Sequence, residues 1–160
     1  FVNFGKDPKP VLKQLYIDFN KEEGCALLEF MTRDFRVKDS LQRLAWKLQP
    51  ERRKIGDYVC MKATASLEGD AVTAWFAPEI PVPAGPAEYY GLPGLVLAVE
   101  RLDETIFLAT MVDLSPPDPE LLVPPGEGKL YTPEEFERIV DEKVEEYRQN
   151  GEEKSEYYYK

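Results

Sequence analysis

Hydrophobic and polar positions alternate with a period of two along most of the first 114 residues. Leu15, Ile17 and Phe19 alternate with Tyr16 and Asp18 over residues 14–20, the signature of a half-buried strand. Residues 21–24 form a turn, with Gly24 available for a positive φ. A second strand is expected over 25–37, its alternation changing phase near Met31, which suggests a bulge or bend. Leu44, Trp46 and Leu48 share a face in a short strand over 43–48; a basic connection containing Pro50 follows over 49–54. In residues 57–67, Val59, Met61, Ala63, Ala65 and Leu67 form the expected core face, opposite Tyr58, Cys60, Lys62, Thr64 and Ser66. After a turn at 68–70, residues 71–77 put Val72, Ala74 and Phe76 on one side and Thr73 and Trp75 on the other. A last hairpin, 95–101 with 105–114, turns at 102–104.

The period then changes. Over 132–148, Phe136, Ile139, Val140, Val144 and Tyr147 recur at helical spacing. Thr132 supplies an N-cap, Pro133 the first helical position and Glu135 the return arm of a capping box. Gly151 is the expected stop. These elements predict a mainly β (α+β) fold: a curved antiparallel sheet of about seven short strands with one C-terminal helix packed on it. Residues 1–150 are expected to form a single domain, followed by a charged tail over 151–160.

One stretch interrupts the alternation. Pro78, Pro81, Pro83, Pro86 and Pro93 make a central strand untenable over 78–93. Yet Ile80, Val82, Tyr89 and Tyr90 are too apolar for a solvated loop, so an ordered, extended crossover is expected there.

Composition narrows the chemistry. The net charge of −10 argues against a nucleic-acid binder, which needs a basic face. The charge is uneven, because residues 33–62 hold nine Lys and Arg against four acids. With no histidine, the Ser-His-Asp and Cys-His mechanisms have no imidazole base, and most zinc and copper sites lose a usual ligand. Two cysteines cannot form a four-thiolate site, so neither metal nor cofactor is expected. No apolar run approaches the roughly 20 residues of a transmembrane helix. The chain starts at Phe1 without an initiator Met or a signal peptide, which fits a processed start.

Residues 74–100 carry a resemblance. The sequence AWFAPEIPV followed by GPAEYYGLPGLVLAVE resembles the GLPGLI family of Gram-negative cell-envelope or secreted proteins. The family hexapeptide is matched by Gly91-Leu92-Pro93-Gly94-Leu95-Val96. IGDYVCMKATA at 55–65, Trp46-Lys47-Leu48 and YTPEEFERIVDEK at 131–143 extend the likeness. It implies an exported protein, periplasmic or extracellular, whose signal peptide is already absent; no catalytic residue is carried over.

Gly91, Pro93 and Gly94 read as a turn with Pro93 at i+1 and Gly94 at i+2, type II geometry. They do not make a phosphate loop, because neither a Lys or Ser/Thr nor a helix follows. In an exported protein Cys25 and Cys60 suggest one disulfide, with two buried thiols as the alternative. Trp75, Phe76, Tyr89 and Tyr90, with Glu79 among them, are candidates for a binding surface over 74–93. The expected function is that of a non-catalytic binding module for an envelope protein, an extended peptide or an apolar ligand. A hydrolase or lyase using carboxylates such as Glu79, Glu88 and Glu100 is the second reading, and a structural or oligomeric envelope component the third.

Overall fold

The computed structural model describes residues 7–158, with the backbone alone described for 152–158. The fold is mainly β with a C-terminal helix, and among the described residues nine strands form two sheets. Contacts cluster in two compact units, one built from residues 1–41 and 117–160, the other from residues 42–116. Residues 1–6 and residues 159–160, the end of the expected charged tail, lie outside the described residues.

The first unit holds a four-stranded sheet in the order β1-β2-β3-β9, from β1 (Val11–Asp18), β2 (Glu23–Phe30), β3 (Arg33–Ser40) and β9 (Leu130–Tyr131). The expected single strand over 25–37 is two strands. The phase change marks a two-residue hairpin turn at Met31 and Thr32, both left-handed at φ 48° and 65°. That geometry suits the right-handed twist of paired strands, although neither residue favours it. β9 pairs parallel to β3, and the other pairs are antiparallel.

Helix α1 (Pro133–Tyr158) begins with the predicted capping box. The Glu135 N–H donates to Thr132 Oγ1 at 3.1 Å, and the Thr132 N–H donates to Glu135 Oε2 at 3.0 Å. Phe136 is buried with Phe30, Phe35 and Val37, and Ile139, Val140 and Val144 pack around them. The helix does not stop at Gly151 but runs one or two turns further. A glycine inside a helix costs only about 1 kcal/mol, which propagation through neighbouring good helix formers absorbs.

The second unit is one five-stranded antiparallel sheet in the order β4-β5-β6-β7-β8. Its strands are β4 (Lys47–Ile55), β5 (Tyr58–Leu67), β6 (Asp70–Ala77), β7 (Leu95–Arg101) and β8 (Glu104–Leu108). The basic stretch expected as a connection is therefore most of β4. Pro50 is tolerated because β4 is an edge strand and its register slips between Leu48 and Arg52. Residues 43–46 are not a strand. They lie against the sheet, where Trp46 Nε1–H donates to the Tyr90 carbonyl at 3.0 Å.

Both faces of this sheet carry apolar clusters. Ala63, Val72, Ala74, Phe76, Val96 and Val99 pack with Tyr89 and Leu92 on one side. Ile55, Cys60, Ala77, Leu97 and Ala98 pack with Ile80 on the other. The expected core face of β5 is thus half of the picture: Ala63 is buried there, Val59 is exposed, and Cys60 is buried on the opposite face. Leu97 and Ala98 fall on the same side because the β6–β7 register slips at Trp75/Phe76.

Candidate functional site

The Pro-rich connection between β6 and β7 is ordered by its own backbone bonds. The Gly91 N–H donates to the Pro83 carbonyl at 2.8 Å, Val96 to Ala84 at 3.1 Å and Leu95 to Ile80 at 3.0 Å. Two extended arms therefore pair with each other, and prolines fit where no N–H is needed.

This folding turns the predicted aromatic surface inward. Phe76, Tyr89 and Tyr90 are 1%, 2% and 5% exposed. They belong to the core, so the surface proposed for them is corrected: they fasten the connection to the sheet. The Tyr90 hydroxyl accepts from the Gln42 N–H at 3.2 Å and donates to the Gln42 carbonyl at 3.3 Å. Of the five candidates only Trp75, half-buried, and Glu79, exposed, reach the surface.

The Gly91-Leu92-Pro93-Gly94 turn also differs from the expected type II geometry. The left-handed residue is Gly91, at φ 94°, whereas Gly94 is not left-handed. Gly94 is required for another reason: a Cβ there would sit 2.3 Å from the Ala77 carbonyl oxygen.

Cys25 and Cys60 do not form the expected disulfide. Each is a free, buried thiol, Cys25 on β2 of the first unit and Cys60 on β5 of the second. Burial pushes the Cys60 thiol up; Arg53 opposes this and Glu79 adds to it. A protonated, enclosed thiol is not a nucleophile.

Cross-strand pairing assembles a different site. Arg53 lies opposite Cys60, Lys62 opposite Trp75, Thr64 opposite Thr73, and Thr73 opposite Glu100. Directly paired residues share a face. One face of the sheet therefore carries Arg53, Lys62, Thr64, Thr73, Trp75 and Glu100 beside the Cys60 cluster. Arg53 Nη1 pairs with Glu100 Oε1 at 3.1 Å, and its guanidinium lies 5.7 Å from the Trp75 ring centre. Gln49 Nε2–H donates to Thr64 Oγ1 at 3.2 Å. Trp75 Nε1 is enclosed without a hydrogen-bond acceptor.

The arrangement offers a half-buried indole edged by a cation, an acid, an amide and hydroxyls. It suits recognition better than acid–base chemistry, because Glu100 is committed to Arg53 and Glu79 is exposed. The signal for Arg53 and Lys62 in the sequence was the basic stretch at 33–62. Their placement needed the β4–β5 register, which a strand containing Pro50 conceals.

The first unit has a separate open depression of about 390 Å³, lined by residues of β3 and β9 with Glu23 and Thr132. Lys38 is paired with Glu23 at 3.0 Å. Among the described residues no three Cys, Asp or Glu side chains come together as a metal site, and no helix is long and apolar enough to cross a membrane.

Residues 66–98 match the profile of a family described as a protein of unknown function (Porph_ging). The matched segment is β6, the Pro-rich connection and the first part of β7. No curated protein matches the chain. Among solved structures, PNGF-II in its P21 and C2 crystal forms is similar, with TM-scores of 0.63 and 0.62 at 20% identity. The likeness covers 85% of this chain and 25% of the PNGF-II chain. The chain thus shares a fold with about a quarter of PNGF-II.

Proposed function

We propose that the protein is an exported cell-envelope protein of the GLPGLI type and acts as a non-catalytic binding module. The export and family readings rest on the Gly91–Val96 hexapeptide and its flanks. The binding surface is the Trp75 face of the five-stranded sheet, not the buried aromatics of 76–90. One observation carries this choice: Trp75, Arg53 and Glu100 form a contiguous, partly open patch beside Lys62. Because charges and hydroxyls surround the indole, the patch favours a polar partner, such as an extended peptide or an envelope protein, over a purely apolar ligand.

Affinity capture from the native envelope tests this reading, comparing the wild type with Trp75→Ala and Arg53→Ala. Loss of the same recovered partners in both variants, with the fold intact by circular dichroism, supports the patch. Unchanged recovery in both overturns it. Tyr90→Ala is a poor probe, since its side chain is core.

A further inference from the structure

The two edges of the five-stranded sheet are unlike. β4 carries Pro50 and the charges of Lys47, Glu51, Arg52, Arg53 and Lys54. Such devices prevent a further strand from adding. Every residue of β8, from Glu104 to Leu108, is exposed. Ile106, Phe107 and Leu108 are each more than two-fifths exposed, and Met111 and Leu114 continue the apolar strip. Its one irregularity is the slip that leaves Ile106 out of register with β7. The ladder resumes beyond it, and the Ala109 N–H donates to the Leu97 carbonyl at 2.7 Å.

The charges around this edge have one sign. Residues 102–116 contain Asp103, Glu104 and Asp113 and no Lys or Arg. Among the described residues Asp103 and Glu104 make no ion pair, and the neighbouring Arg101 is occupied by Asp70 at 2.7 Å and Glu68 at 3.3 Å. A second copy would bring the same acids and a net charge of −10, so like charge opposes self-pairing.

We infer that β8 is a docking edge for an extended segment of another protein, apolar on alternate residues and flanked by Lys or Arg. The segment adds as a sixth strand. Its backbone pairs with the outward N–H and C=O groups of β8, its alternate apolar side chains lie beside Leu108 on the Ala98 face of the sheet, and its cations meet Asp103 and Glu104. This concerns a different part of the sheet from the Trp75 patch and does not depend on it.

The test uses a synthetic peptide of alternating Val and Thr with Lys at each end, titrated into the full chain. The controls are the same peptide with Glu ends and one with alternate backbone nitrogens methylated. The Lys-ended peptide is expected to bind, and the Glu-ended one at least about tenfold more weakly. The methylated one, which cannot complete the ladder, should not bind at all. Asp103→Lys with Glu104→Lys should reverse the order of the charged peptides. Ile106→Lys with Leu108→Lys should abolish binding while the circular dichroism spectrum is unchanged. The inference is overturned if the Lys-ended peptide does not bind, if the methylated peptide binds equally, or if Asp103→Lys with Glu104→Lys leaves the order unaltered. Dimerisation of the wild type that Ile106→Lys and Leu108→Lys remove would overturn it in favour of a second copy.

Discussion

Gly94 and Gly85 show how single residues hold the connection in place. A Cβ on Gly85 would meet the Tyr89 carbonyl oxygen at 1.9 Å, and one on Gly94 the Ala77 carbonyl oxygen at 2.3 Å. In both cases the obstacle is backbone, which cannot swing aside. Alanine at either position should therefore cost about 1–3 kcal/mol. Gly56→Ala should cost about 1 kcal/mol or less, because space is open there and only its left-handed φ is strained. Thermal denaturation of the three variants checks the ranking. The thiols give a second residue-scale expectation: denaturation without reductant should release two titratable thiols, from Cys25 and Cys60. A third concerns alkaline pH. Burial is the main cause that raises both the Cys60 thiol and the Tyr89 phenol; Arg53 opposes it at Cys60, Arg101 at Tyr89. A group raised in the folded state stabilises the fold in full below its unfolded value, about 8.5 for a thiol and about 10 for a phenol. That contribution fades as pH rises through the folded value. The Tm should hold from pH 7 to about 8.5 and fall above it, and Cys60→Ala should soften the fall.

At the scale of elements, legibility followed local chemistry. The α1 capping box was readable because Thr132, Pro133 and Glu135 act within one turn. β5 and β6 were readable because alternation over eight or more residues survives one flawed position, and β7 because a short apolar run follows a Gly-Leu-Pro-Gly turn. The β2–β3 turn was not, because Met31 and Thr32 are residues that avoid left-handed backbone. The pairing of β2 with β3 along their whole length, closed by Phe30 opposite Arg33, imposes the turn on them. β4 was hidden by Pro50, whose tolerance depends on the strand lying at an edge, a property of the whole sheet. Of the candidate aromatics, Phe76, Tyr89 and Tyr90 were expected at a surface and lie in the core, since a strand pattern does not reveal that the connection after it folds back to bury Tyr89 and Tyr90. The Met31–Thr32 turn should be improvable. Met31→Asn with Thr32→Gly matches the preferred residues of this turn and should stabilise the protein by about 0.5–1 kcal/mol, measured by denaturant titration.

At the scale of the whole molecule, the second unit is continuous in sequence, while the first is assembled from two separate segments. Residues 42–116 contain both apolar clusters of the five-stranded sheet and all of its strand pairs. A fragment of these residues should unfold cooperatively on heating, whereas residues 1–41 alone, lacking α1, should not. Calorimetry of the two fragments tests this.

The pairing of Phe35 with Phe136, ring centres 5.3 Å apart, sets a schedule for synthesis. The strands that carry Phe30, Phe35 and Val37 leave the ribosome roughly 100 residues ahead of the helix that covers them. At about 5–20 residues per second, that apolar face waits 5–20 s for its lid. During this interval residues 42–116 are complete and able to fold, but the older strands remain sticky. A C-terminal truncation before Phe136 should therefore leave the face of Phe30, Phe35 and Val37 uncovered for good, and aggregation of that variant, measured by light scattering, checks it.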